Sequence, residues 1–212
     1  MKISSPFKTL LFAVLIVFGT AANAQENEKR LFYYENGMVE RETYFNNRNE
    51  PAGVWKEYYE NGQLRSEGRV QKGTFGKPVF QTGLWKTFYD NGQMQSEGNY
   101  QTGSQTGLWK YYHENGKLGA KGFYGGMGGD KQGVWEFFHS NGNRSQTGSL
   151  SDGRQDGEWK YYDEYGVIQT VMNYVMGPDR NPVPDGEIKH YDGKGNLVAV
   201  ERYKMGVPVI TE

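Results

Sequence analysis

The chain has 212 residues, with 24 Lys and Arg against 25 Asp and Glu, a net charge of −1, 30 glycines, 16 tyrosines and no cysteine. Without a basic excess there is nothing to follow a phosphate backbone, which argues against nucleic acid as a partner. Without cysteine, packing and backbone pairing alone must hold the fold, and the scarcity of Ile, Leu and Val after the first turns of sequence denies it a large aliphatic core.

The N-terminus is expected to be an export signal. Lys2 and Lys8 flank a positive start, Leu10 to Phe18 is an uninterrupted apolar run, and Ala22-Asn23-Ala24 is a small-x-small cleavage site. The apolar run is too short to span a bilayer, and no cysteine follows it to carry a lipid anchor. Cleavage after Ala24 removes two lysines and no acid, taking the net charge from −1 to −3. The mature chain, 25–212, is expected in the periplasm or outside the cell, with no transmembrane segment.

From here the sequence repeats itself. Trp55, Trp85, Trp109, Trp135 and Trp159 follow one another at intervals of 30, 24, 26 and 24 residues. Looser units flank them, with Arg30 and Ile188 in the Trp place, which makes about seven units. Three residues after the Trp place stands an aromatic in every unit: Tyr33, Tyr58, Phe88, Tyr112, Phe138, Tyr162 and Tyr191. Asn-Gly follows, with Gly37, Gly62, Gly92, Gly116 and Gly142, decaying to Tyr165-Gly166 and Lys194-Gly195. Next comes a mostly apolar place, of which Arg144 is the exception. A period of this kind marks a repeat architecture.

Asn-Gly between two short aromatic-rich runs predicts a β-hairpin with a two-residue type I′ turn. That register sets Tyr59 against Leu64, Tyr58 against Arg65, Lys56 against Glu67 and Trp55 against Gly68, so that each indole covers the glycine of its own hairpin. A type I turn with a glycine bulge would shift the register by one residue. Gly53, Gly83, Gly107, Gly133, Gly157 and Gly186, two places before the Trp place, are expected at the bends between hairpins. One hairpin is barely stable alone. Stacked edge to edge, seven form an all-β fold, an elongated and twisted single-layer antiparallel sheet stabilised by neighbour contacts.

The pattern G-x-W-x-x-[YF]-x-x-N-G-x-[LM]-x-x-x-G resembles the MORN repeat in its bacterial variant form, over nearly all of the mature chain. The resemblance implies stacked hairpins and a role in binding or scaffolding, with protein and lipid partners both in view. Some similar bacterial proteins are described as antitoxins, which for an exported chain points to an immunity-like or envelope role. The aromatic composition is also similar to choline- and glucan-binding wall repeats, from which the single Trp per unit departs.

Strand alternation puts Trp55, Tyr59, Leu64, Gly68 and Val70 on one face, and Lys56, Tyr58, Arg65 and Glu67 on the other. The second face then carries an aromatic row, Tyr58, Phe88, Tyr112, Phe138 and Tyr162, beside Lys56, Lys86, Lys110 and Lys160, with Glu136 interrupting the lysines. Those rows are the candidate binding residues; mutual packing of the rings is the alternative. The expected partner is a protein, and a glycan is the competing one. No cofactor is expected. His113 and His139 sit at equivalent places about 9.5 Å apart, too far to share a zinc. GPDRNPVPDG lacks the ligand order of a calcium loop. No phosphate-binding loop and no Ser/His/Asp set stands out from the repeat, so no catalytic residues are assigned and an enzyme is not expected. Three insertions break the period, at 69–82, 123–132 and 171–185, and such insertions often lie on loops at a binding side.

Overall fold

A computed structural model describes residues 28–73, 79–125 and 129–210; the expected signal segment lies outside them, as do parts of the first two insertions. Seven hairpins follow in chain order: β1 (Glu28–Tyr33) with β2 (Val39–Phe45), β3 (Pro51–Tyr58) with β4 (Leu64–Lys72), β5 (Val79–Phe88) with β6 (Met94–Gln101), β7 (Ser104–Tyr112) with β8 (Leu118–Gly125), β9 (Asp130–Phe138) with β10 (Arg144–Ser151), β11 (Arg154–Tyr162) with β12 (Ile168–Met176), and β14 (Gly186–Tyr191) with β15 (Leu197–Lys204). Each pairs with the next in one open antiparallel sheet of 16 strands, as the repeat predicts. Two short strands complete it: β13 (Pro182–Pro184), formed by the third insertion, pairs with β12, and β16 (Val207–Pro208) pairs with β15.

The turns differ from the expected type I′. Gly62 N–H donates to Tyr59 O at 2.8 Å and Tyr59 N–H donates to Gln63 O at 2.8 Å. Only Gly62 is left-handed, at φ 83°, while Asn61 is not. This is a type I turn closed by a glycine bulge. Its one-residue shift puts Tyr58, not Tyr59, opposite Leu64. A second bulge at Arg65 then restores the pairing of Lys56 with Glu67 and Trp55 with Gly68. The consequence is a change of face. Leu64 moves to the Tyr58 side, and Arg65 crosses to the Trp side, where its Nη2 meets Glu57 Oε2 at 2.7 Å. Arg144, the polar exception at the Leu64 place, sits with Glu136 on the charged face, which explains why an arginine is tolerated there.

Asparagine is chosen for a reason other than positive φ. Asn61 Oδ1 accepts the Gln63 N–H at 2.9 Å, and its Nδ2 donates to Asp90 O of the next turn at 3.1 Å. Asn36, Asn91, Asn115 and Asn141 repeat both bonds. Beside them Tyr34, Tyr59 and Tyr89 donate their hydroxyls to the carbonyls of Tyr58, Phe88 and Tyr112, and the rings of His113 and His139 reach those of Phe138 and Tyr162 at 2.9 and 3.0 Å. The turn edge is thus stapled from hairpin one to hairpin six. Asp163 ends the series: it caps its own turn, accepting from Tyr165 and Val167, and has no donor for hairpin seven. The last joint is correspondingly thin, with only Thr170–His190 and Val171–Lys189 in register between β12 and β14.

The core is one side chain thick. Trp85, Trp109, Trp135 and Trp159 are buried on one face, as are Val70 and Leu150, which stand opposite Gly53 and Gly133. Each indole seats on the glycine of the preceding hairpin, not of its own. A Cβ on Gly68, Gly98, Gly122 or Gly148 would penetrate the ring of Trp85, Trp109, Trp135 or Trp159 respectively. The indole N–H completes the joint by donating across the same strand boundary, to Arg69 O, Asn99 O, Phe123 O and Ser149 O at 2.9–3.2 Å. The glycines expected at the bends are left-handed, with φ between 65° and 98° at Gly53, Gly83, Gly107, Gly133, Gly157 and Gly186. Most sit where the register slips between hairpins, as between Glu67–Lys86 and Arg69–Thr82. A left-handed residue inside a strand favours glycine, and the resulting bulge tilts the following Trp back over its neighbour.

Candidate functional site

The face opposite the tryptophans carries a charge ladder that runs straight across the sheet. In register, Glu42 faces Lys56, Lys56 faces Glu67, Glu67 faces Lys86, Lys86 faces Glu97 and Glu97 faces Lys110. Lys110 then meets a like charge, Lys121, which in turn faces Glu136. Lysine and glutamate have exchanged places in hairpins four and five, so the interruption at Glu136 is matched by Lys121. Lys110 turns to Glu97 at 3.1 Å and Lys121 to Glu136 at 2.7 Å, which separates the two ammonium groups. Beyond Glu136 the ladder fades through Thr147 and Lys160 to Val171. Opposite charges directly across strands contribute about 0.2–1 kcal/mol each.

The aromatic row lies alongside. Tyr58, Phe88, Tyr112, Phe138 and Tyr162 are all half-buried. Tyr112 donates its hydroxyl to Glu97 Oε1 at 2.9 Å. Lys121 sits 6.0 Å from the Phe138 ring and Arg144 5.8 Å from the Tyr162 ring. Cations, not free solvent, therefore cover part of the candidate row. A groove of about 490 Å³ brings Lys56 and Lys86 together with Val54 and Leu84. Lys110 belongs to the ladder further along, and Lys160 pairs with Glu158 at 3.0 Å.

Two sets of residues were not singled out by sequence. On the tryptophan face Tyr111 and Phe137, two places after their Trp, bridge successive indoles with centroids 5.9–6.3 Å apart, and Tyr161 at the same place packs on Trp159 at 6.3 Å. Tyr111 and Tyr124 share a hydroxyl bond of 2.8 Å. The signal for them was present in the doubled aromatics at 111–112, 137–138 and 161–162. On the charged face Leu84, Leu108, Phe123 and Val134 are exposed by 53, 43, 55 and 61%, and Leu108 faces Phe123 directly. Three of these occupy the place just before the Trp, and that place reads Val54, Leu84, Leu108, Val134 before turning to Glu158. A solvated structural face has no reason to keep Leu108 and Phe123 exposed as a facing pair, with Leu84 and Val134 exposed two strands to either side of Leu108.

The ionisable groups fix a pH window. The ammonium of Lys110, with the hydroxyl of Tyr112, holds the Glu97 carboxyl below its ordinary 4.5, and Lys121 with Arg144 does the same for Glu136. These carboxylates contribute stability above 4.5 that is lost as the pH falls through their lowered values. Burial, and then the bond to Glu97, pushes Tyr112 up to about 12 from 10.0. Burial and hydroxyl bonds raise Tyr124 and Tyr161 in the same direction. Their contribution is complete below 10 and is lost as the pH climbs toward the folded values. Melting followed by circular dichroism is expected to give a plateau between about pH 5 and pH 10 with a fall on either side, and Glu97→Gln is expected to flatten the acid limb.

His113 and His139, the residues nearest to a metal-ligand pattern, are occupied in the turn staples. Among the described residues no group of three or more His, Cys, Asp or Glu is arranged to hold a metal, and no helix is long and apolar enough to cross a membrane.

No curated protein matches the chain. The MORN repeat variant family matches it at residues 29–47, 52–72, 81–102, 105–124 and 155–176, which are hairpins one to four and six. Hairpin five, between them, departs at Glu136 and Arg144 yet keeps Trp135 seated on Gly122 and Gly148 beneath Trp159. The stacked hairpins and the five matched segments together make this chain a member of the MORN repeat variant family.

Proposed function

We propose that this is an exported, non-catalytic repeat protein that binds or scaffolds a protein partner through its charged face. The observation that carries the reading is the exposed apolar group Leu84, Leu108, Phe123 and Val134 on the flank of the Glu/Lys ladder that faces away from the half-buried aromatic row. Apolar anchors with a charged rim are what a protein interface requires. Of the carboxylates on this face, Glu42, Glu97 and Glu136 are tied up in ion pairs. A glycan held by the aromatic row fits less well, because Phe138 and Tyr162 already lie beneath Lys121 and Arg144. Export rests on the N-terminal signal pattern, and the antitoxin-like resemblance translates into an immunity-like or envelope role for the same face.

The test is crosslinking of the mature protein in its own envelope fraction, read by mass spectrometry, beside Leu108→Glu and Phe123→Glu. One stoichiometric protein is expected with the wild type and is expected to be lost in both variants. Because both side chains are exposed, their melting temperatures should stay within a few degrees of wild type, about 0.5 kcal/mol or less in stability. Retention on wall polysaccharide without any protein would replace the reading by the glycan one.

A further inference from the structure

The tryptophan face is not uniform along the array. In hairpins four, five and six the place two residues after the Trp is an aromatic, and Tyr111 and Phe137 close the space to the next indole. In hairpins two and three that place holds Glu57 and Thr87. Between Trp55 and Trp85 the space stays open, as a cleft of about 570 Å³, within the ~300–1,000 Å³ of small-molecule sites.

Trp55 is also set differently from the other four. The glycine place of hairpin one is Thr43, fully buried and in register with Trp55. With a side chain beneath it the indole is half-buried rather than seated, and its N–H donates to Glu57 Oε1 at 3.2 Å instead of to the preceding hairpin's backbone. Glu57 Oε2 accepts from Arg65 Nη2 at 2.7 Å and from Ser66 Oγ at 3.1 Å. Thr87 Oγ1 and Ser96 Oγ lie 2.7 Å apart, and Gln81 and Gln95 reach the same cleft.

We propose that this cleft binds a neutral saccharide. It offers one half-exposed indole; the Arg41 guanidinium lies 4.9 Å from that ring but does not line the cleft, which leaves the cleft side of the indole for the C–H face of a pyranose ring. It offers a carboxylate and a guanidinium already paired, which together accept from and donate to adjacent hydroxyls without leaving net charge. A charged ligand would disturb that pair, and a purely apolar one would bury it unsolvated. The site lies on the face opposite the proposed protein-docking surface and stands independently of it.

The experiment is calorimetric titration of the full chain with cellobiose, maltose and N,N′-diacetylchitobiose. Saturable binding of at least one is expected. Glu57→Gln keeps the shape of the cleft and removes its charge, and is expected to weaken binding about tenfold. Glu57→Tyr supplies the ring that Tyr111 supplies two hairpins on. It is expected to abolish binding with the melting temperature held or raised, so loss of binding cannot be put down to unfolding. Should Glu57→Tyr melt lower, Trp55→Leu takes its place as the test of loss. Failure of all three sugars to bind saturably overturns the proposal. So does binding that survives the filled or Trp-less cleft, or that is lost instead in Phe123→Glu, which would place the sugar on the other face.

Discussion

Gly122→Ala is expected to destabilise the protein by about 3 kcal/mol, against the usual sign for this exchange. Inside a strand, alanine normally gains about 0.5–1 kcal/mol over glycine, because the glycine loses more backbone freedom on folding. Gly122 is an ordinary strand residue, with no positive φ to protect. What forbids the methyl is the indole of Trp135, lying where a Cβ would go. The ring cannot lift without breaking its N–H bond to Phe123 O at 3.2 Å and its packing on Tyr124 at 5.3 Å. Gly193→Ala is the control, since a Cβ there meets nothing within 4 Å, and it is expected to change stability by about 0.5 kcal/mol or less. A double-mutant cycle in denaturant separates the two seating schemes. If each indole sits on the glycine of the preceding hairpin, Gly122→Ala couples strongly to Trp135→Ala, by about 1–3 kcal/mol, and weakly to Trp109→Ala. The reverse ranking would mean that each hairpin covers its own glycine.

That distinction shows where the sequence was legible and where it was not. The period of Trp, aromatic and Asn-Gly specifies hairpins, their stacking and the parity of Lys56, Tyr58 and Trp55, because each of these is a local rule repeated in every unit. The turn type was misread for a physical reason. A glycine bulge at Gly62 and a second bulge at Arg65 each displace the register by one residue, in opposite senses, so Trp55 meets Gly68 under either reading. The seat of each indole was hidden differently. A glycine in the middle of a sheet has a tryptophan neighbour on both sides, as Gly148 does in Trp135 and Trp159. Only the tilt imposed by the left-handed glycine before the Trp decides between them. The candidate rows were legible by alternation, whereas the apolar group on the same face was not. Leu84, Leu108 and Val134 stand between that left-handed glycine and the Trp, where a bulge breaks the simple count of faces. The open cleft at Trp55 required knowing that Thr43 lies under it, a contact between units whose sequence pattern gives Thr43 no special mark.

Trp135→Ala is expected to be the most damaging single truncation, at about 4 kcal/mol, and to change the form of unfolding as well as its midpoint. Trp135 is fully buried and central, stacked with Phe137 at 5.9 Å, edge-on to Tyr124 at 5.3 Å and capped by Lys131 at 4.6 Å. Its removal bares the Gly122 strip and leaves the carbonyl of Phe123 without its donor. In a stacked array each hairpin is held only by its neighbours, so a lost interface divides the cooperative unit at that point. The turn staples from His113 to Phe138 and from Asn115 to Ser140 remain, and they keep hairpins four and five adjacent without a packed face between them. Urea unfolding followed by far-ultraviolet circular dichroism is therefore expected to broaden, or to split into two steps, in Trp135→Ala while staying single in the wild type. Trp55→Ala is the contrast. Its indole is half-buried over Thr43 and bonded to a side chain, so it should cost about 1 kcal/mol with the cooperativity unchanged. Equal losses at the two positions would mean that stability is spread evenly along the sheet. Unequal losses would place it in the run of rings from Trp85 to Tyr161, and leave the first hairpins free to give up packing for a cleft.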